Sequence, residues 1–270
     1  MSFSVAGKTA VVTGAANGVG LAVARHFAEK GANVMFADMD EAKLAEEIGQ
    51  VGDDEGGTIA YFAGDLREKL TVANLLSATI DRFDRADILV NASRQMMSSD
   101  PLNPDDDAVI DALNQNLMTA LRVTQVFAKR MIKQAKDEEN DEAPAGSIIN
   151  LSSIAARRTQ PELLAYSVSS AALDQMTRSM AVALAPHRIR VNAIALGSVM
   201  SASLRGALKD NEELRGEIID STPLHRIASP TELAEVAQFL ASDGSGFMTG
   251  QILTVDGGRT LVDAAEAPAH

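Results

Sequence analysis

Thr13-Gly14-Ala15-Ala16-Asn17-Gly18-Val19-Gly20 is the stretch on which the fold of this chain turns. An apolar run, Thr9 to Thr13, leads into it. A helical pattern with Val19, Val23 and Phe27 leads out and stops at Gly31. Glycines let a backbone turn sharply and come close to a pyrophosphate, and the free N–H groups of a helix start then face its negative charge. A glycine pattern alone is weak evidence, but this one joins a first strand to a first helix, the context the mechanism demands. The turn predicts a dinucleotide site in which Gly14, Asn17, Gly18, Val19 and Gly20 meet the phosphates.

Outward from the turn, further short apolar runs fall at Asn33 to Asp38, within Thr58 to Ala63, and at Asp87 to Asn91, Ser147 to Leu151, Arg190 to Ala195 and Ile252 to Val255. Longer helical patterns alternate with them, the clearest at Asp105 to Gln134 and Tyr166 to Ala185. Repeated strand–helix–strand units imply right-handed crossovers. The prediction is an α/β protein, a Rossmann-type doubly wound parallel sheet of about seven strands with helices on both faces. No repeat or linker divides residues 1–270, which read as one domain. Ser198 to Pro230 is weakly patterned and follows a late strand, where such sheets bind ligands. It reads as a substrate lid or as an ordinary surface excursion.

Asp38 ends the second run. A carboxylate there accepts hydrogen bonds from the adenosine ribose and repels a 2′-phosphate, and the Gly-rich turn carries no Arg or Lys to hold one. Both features favour NAD over NADP as the cofactor.

Composition narrows the partners. A hydrophobic content of 46% is that of a globular chain. A net charge of -13 disfavours nucleic acid and anionic membrane surfaces. Part of the acidity is local, at Asp137, Glu138, Glu139, Asp141 and Glu142, and reads as a solvated loop. There is no cysteine, so disulfides, thiolate metal sites and a Cys nucleophile are excluded. His26, His187, His225 and His270 lack metal-ligand spacing, so no metal is expected, and no G-x-S-x-G marks a serine hydrolase. No run is long enough to span a membrane, and the opening MSFSVAGK lacks signal-peptide regions. A cytoplasmic protein is the expectation.

The remaining motifs converge. They are the T-G-x-x-x-G-x-G spacing from Thr13, Asp65-Leu66, Asn91, Asn116-Leu117, Ile149-Asn150-Leu151-Ser152-Ser153, Tyr166, Gly197 to Ser201, Thr249-Gly250-Gln251 and Asp256-Gly257-Gly258. From about Gly7 to Arg259 the chain resembles the classical short-chain dehydrogenase/reductase family. The resemblance implies hydride transfer between nicotinamide and an alcohol or carbonyl substrate. It assigns Asp65 and Leu66 to the adenine, and Asn91, Ala92, Gly197 and Val199 to the rest of the cofactor. Asn116, Ser153 and Tyr166 become the catalytic set, with Tyr166 also against the cofactor. The chemistry of the residues agrees: a phenol can move a proton to or from a substrate oxygen, and a serine hydroxyl can hydrogen-bond the same oxygen. Asn116 is expected to hold a helix irregularity and a relay water. The family also implies a homodimer or homotetramer through the helices of Asp105 to Gln134 and Tyr166 to Ala185. Ala171, Ala172, Leu173, Met176 and Met180 suit such a seam or the sheet face.

The chain departs from the family pattern at three places. Y-x-x-x-K reads Tyr166-Ser167-Val168-Ser169-Ser170, so Ser170 stands where an ammonium would favour the phenolate and bind the nicotinamide ribose. Asn91-Ala92-Ser93-Arg94 replaces N-N-A-G, and Leu196 replaces a proline. Arg94, Arg157 and Arg158 are the nearby cations. Two readings follow, an NAD-dependent oxidoreductase of altered activity and a non-catalytic NAD-binding sensor, regulator or partner subunit.

Overall fold

The computed structural model describes residues 3–51, 57–138, 143–209 and 211–263. Its first half runs β1 (Thr9–Thr13), α1 (Gly18–Glu29), β2 (Asn33–Asp38), α2 (Glu41–Val51), β3 (Ile59–Ala63), α3 (Lys69–Phe83) and β4 (Ile88–Asn91). Next come α4 (Ala108–Ala112), a π-helical turn (Leu113–Met118), α5 (Thr119–Asp137), β5 (Gly146–Ser153) and α6 (Leu164–Leu184). The chain continues through β6 (Ile189–Leu196), α7 (Ala202–Lys209), α8 (Glu212–Asp220), α9 (Pro230–Ala241) and β7 (Ile252–Val255).

All seven strands pair in parallel, in the order β3-β2-β1-β4-β5-β6-β7. The predicted doubly wound sheet is therefore present. Every residue of β1, β4, β5 and β6 is buried, as expected of parallel strands covered on both faces. Alternation along each strand divides the core into two layers. Val12, Phe36 and Ile149 join Phe27 of α1 and Leu233 of α9. Their strand neighbours Val11, Met35 and Ile148 face the other way, with Leu75 of α3 and Phe127 of α5. The order reverses between β1 and β4, so their carboxyl ends diverge into a crevice.

Two helical segments differ from expectation. The pattern from Asp105 to Gln134 becomes helical only at Ala108 and is interrupted by the π turn. Ser198 to Pro230 holds two short helices, α7 and α8, the second capped by Asn211 Oδ1 accepting from the Leu214 N–H at 3.0 Å. In the acidic stretch, Asp137 closes α5 and Glu138 pairs with Arg85 at 3.4 Å, whereas Glu139, Asp141 and Glu142 lie outside the described residues. Among the described residues, no helix is long and apolar enough to cross a membrane, and no group of His, Cys, Asp and Glu is arranged to hold a metal.

Candidate active site

A cleft of about 1060 Å³ lies along the carboxyl ends of the strands. Gly14, Asn17, Gly18, Val19 and Gly20 form part of its wall, with Asp38, Asp65, Leu66, Ala92, Ser153, Tyr166, Gly197 and Val199. Asn91 and Asn116 do not.

The Gly-rich turn is a cradle that side chains would fill. Gly14 has φ +68°, and a Cβ there would sit 2.7 Å from the Ala92 carbonyl oxygen. A Cβ on Gly20 would sit 2.2 Å from the Gly14 carbonyl oxygen. Thr13 Oγ1 ties the turn to the end of β4 by accepting the N–H groups of Ala92 and Ser93, both at 3.1 Å. Asn17 precedes α1 in extended conformation and makes no side-chain cap. The uncapped helix start and close backbone fit a pyrophosphate.

At one end of the cleft, the Asp38 carboxylate accepts N–H bonds from Ala16 at 3.1 Å, Met39 at 2.7 Å and Asp40 at 3.2 Å. Among the described residues, two cations lie on this side, and both are paired. Lys43 bonds Asp40 at 2.6 Å and Arg67 bonds Asp65 at 2.6 Å. The Arg67 guanidinium holds the Asp65 carboxyl below its usual range.

Asn91, expected against the cofactor, is turned into the core. Its Nδ2 donates to Asn150 Oδ1 at 2.8 Å and to Thr124 Oγ1 at 3.0 Å, and Asn150 donates on to Thr177 at 2.9 Å. This buried amide chain ties β4 and β5 to α5 and α6. Asn116 lies in the π turn, as its expected link to a helix irregularity requires. Its Oδ1 accepts the Gln95 N–H at 2.8 Å, and its Nδ2 donates to the Gln95 carbonyl at 2.9 Å and to Ser169 Oγ at 3.1 Å. Asn116 therefore fixes the turn after β4 against α6 rather than forming the cleft wall.

Ser153 and Tyr166 meet at the other end. Ser153 Oγ accepts the Ala155 N–H at 3.1 Å, which leaves its own O–H to donate. Tyr166 is 94% withdrawn from solvent, with a relative exposure of 6%. Arg94 donates from Nη1 to the Tyr166 hydroxyl, and its guanidinium carbon lies 5.8 Å from the ring centroid. Ser170 is buried and outside the cleft wall, with its carbonyl 3.5 Å from Ser152 Oγ. One turn on, burial pushes the Asp174 carboxyl up, with a bond from Ser152 opposing it.

Sequence reading missed several contributors. Gln95 and Ser169 hold Asn116, while Leu204, Leu214 and Ile218 of α7 and α8 reach the cleft. Arg259 also lines it, as does Arg158, one of the three cations named from the sequence. For the missed residues, only the position of Ser198 to Pro230 after a late strand gave a signal.

A Gly-rich turn at a strand-order reversal, with Ser and Tyr hydroxyls in the same cleft, defines a dinucleotide-binding oxidoreductase. The chain belongs to the short-chain dehydrogenase/reductase family, since residues 14–260 match the family model described as enoyl-(acyl carrier protein) reductase. It is 35% identical over 262 residues to an uncharacterized oxidoreductase of Mycobacterium tuberculosis, covering 96% of this chain and 94% of that one. Its fold is similar to a 7α-hydroxysteroid dehydrogenase complexed with NADH and 7-oxo glycochenodeoxycholic acid, with a TM-score of 0.86 and 28% identity over 95% of this chain and 96% of that one. It is also similar to a gluconate 5-dehydrogenase from Burkholderia cenocepacia in complex with NADP and tartrate, with a TM-score of 0.85 and 30% identity over 97% of this chain and 98% of that one.

Proposed function

We propose that this chain is an NAD-dependent oxidoreductase acting on a small-molecule alcohol or ketone. The observation that carries the reading is the presence of Ser153 and Tyr166 in the same cleft as the Gly14 to Gly20 turn. Bound NAD supplies the hydride acceptor, and NADH the donor in reverse. The chain supplies the rest. Gly14, Gly18 and Gly20 admit the pyrophosphate, and the α1 start meets its charge. Asp38 accepts from the adenosine ribose. Among the described residues, the cations on that side, Lys43 and Arg67, are paired with Asp40 and Asp65, which supports NAD. Tyr166 takes the proton from a substrate hydroxyl or returns it to a carbonyl oxygen, and Ser153 donates a hydrogen bond to that oxygen. Asn116 keeps the turn after β4 in register with α6. Residues 198–230 act as a lid, a role supported by Leu204, Leu214 and Ile218 on the cleft wall.

Ser170 favours a second reading, a non-catalytic NAD-binding protein, because it removes a charge that the family places beside its tyrosine. A homodimer or homotetramer through α5 and α6 is part of the proposal. Exposed Val168 and Ala171 support such a seam, whereas Leu173 and Met176 already pack within the chain on Ala120. The test is NADH formation across a panel of secondary alcohols, with calorimetric titration of NAD and NADP. The oxidoreductase reading expects tighter NAD binding and turnover of at least one alcohol. Binding without turnover, in either direction, would favour the second reading. Tighter NADP binding would overturn the role given to Asp38.

A further inference from the structure

We propose that Arg94 is a catalytic residue, its guanidinium supplying at the Tyr166 hydroxyl the fixed positive charge that residue 170 does not. The inference rests on the proposed use of Tyr166 as proton carrier. Arg94 comes from the turn after β4, and Tyr166 from α6, so the pairing joins two segments remote in sequence. The guanidinium donates to the phenol oxygen and stacks near its ring. Its other hydrogen-bond partner among the described residues is the Ser152 carbonyl oxygen at 3.5 Å, which is neutral. No ion pair with a described carboxylate diverts its charge. The backbone on both sides is held. Ser93 N–H bonds Thr13 Oγ1 at 3.1 Å, and Gln95 is clamped by Asn116. Arg94 thus leaves a fixed turn, and its reach to Tyr166 follows from where β4 and α6 are anchored.

A donor aimed at the phenol oxygen favours the phenolate, the form that accepts a substrate proton. In oxidation the substrate O–H bond breaks as the Tyr166 O–H bond forms, and the hydride leaves the carbon for the nicotinamide. Tyr166 then releases its proton to water. In reduction the Tyr166 O–H bond breaks toward the carbonyl oxygen, and the phenolate is left beside Arg94. Arginine does not deprotonate in proteins, so no proton passes through residue 94. It acts as a charge alone, which separates it from a lysine at the same hydroxyl.

Other charged groups surround Tyr166. Asp174 and Arg178 lie further along α6, Arg157 and Arg158 follow β5, and Arg259 follows β7. Arg157 bonds Thr254, Arg158 bonds the Thr260 carbonyl and Arg259 bonds Ser198, so none of the three is spent on the hydroxyl. Arg94 is the described cation in contact with it.

The chain has two tyrosines and no tryptophan, and Tyr61 lies on β3 outside the cleft wall. In a Tyr61→Phe background, phenolate absorbance therefore reports Tyr166 alone, with no cofactor present. Arg94→Met in that background is expected to change the dependence of the phenolate absorbance on pH, and Arg94→Lys to keep most of the parent curve. With NAD and an alcohol that the parent oxidises, Arg94→Met should lower kcat by ~10²-fold or more, and Arg94→Lys should recover much of that loss. An absorbance transition unmoved by Arg94→Met overturns the proposal whether or not the parent turns over. A parent without turnover contradicts the oxidoreductase reading instead, and leaves the absorbance result to judge Arg94.

Discussion

Gly20 holds its place because nothing larger fits. A Cβ there would lie 2.2 Å from the Gly14 carbonyl oxygen, so Gly20→Ala must push α1 away from the turn it caps. We expect a loss of roughly 1–3 kcal/mol in denaturant unfolding, together with weaker NAD binding in calorimetry. Unchanged stability and affinity would mean the turn is looser than its geometry requires. Residues of this kind are legible in sequence because a short local motif carries their constraint. The placement of Asp38, Ser153 and Tyr166 on the cleft wall is legible for the same reason. Asn91 is not. Its amide bonds to Asn150 and Thr124, partners brought to it by β5 and α5, and no local pattern reveals which way an amide points in a packed core. Arg94 illustrates the same limit, since its role depends on a distance between segments 72 residues apart.

At the scale of elements, buried parallel strands announce themselves as unbroken apolar runs. β1 and β2 accordingly occupy the spans that the runs mark, and the edge strand β7 keeps its predicted span although it is only half-buried. α7 and α8 are short, and their pattern is too brief to rise above their neighbours. The π turn in front of α5 leaves no mark in a helical period; the family resemblance placed an irregularity there through Asn116, which ties the turn to Gln95 and Ser169 outside the helix. α9 carries a stronger local signature. Ser229 caps it, Pro230 opens it, and Glu232 completes the capping box while bonding Arg226 at 2.6 Å. Ser229→Ala should cost about 1 kcal/mol, read by thermal or denaturant unfolding, and no change would mean that packing alone starts the helix. The Arg226 guanidinium lowers the Glu232 carboxyl from its ordinary 4.5 to about 2. A carboxyl depressed on folding stabilises above its unfolded value and loses that contribution as pH falls. The melting-temperature difference between parent and Glu232→Gln should therefore be full near neutrality and shrink between about pH 4.5 and 2. A difference that stays constant through that window would show that Glu232 acts without its charge.

For the whole molecule, the strand order explains why the site stands where it does. β1 and β4 send their chains to opposite sides, and the crevice between them takes the Gly-rich turn from one and Arg94 from the other. The alternation of runs and helices foretold the sheet. What it could not foretell is how the carboxyl ends arrange their side chains, because the cleft gathers residues that follow every strand from β1 to β7. The claim that unites the cleft is that Tyr166 moves the proton while the Gly-rich turn holds the cofactor, two functions on separate parts of one wall. Tyr166→Phe separates them. The account predicts that this variant still binds NAD in calorimetry, because the Gly-rich turn and Asp38 remain, while turnover of an alcohol that the parent oxidises falls by ~10²–10⁴-fold. Turnover at the parent rate would contradict it.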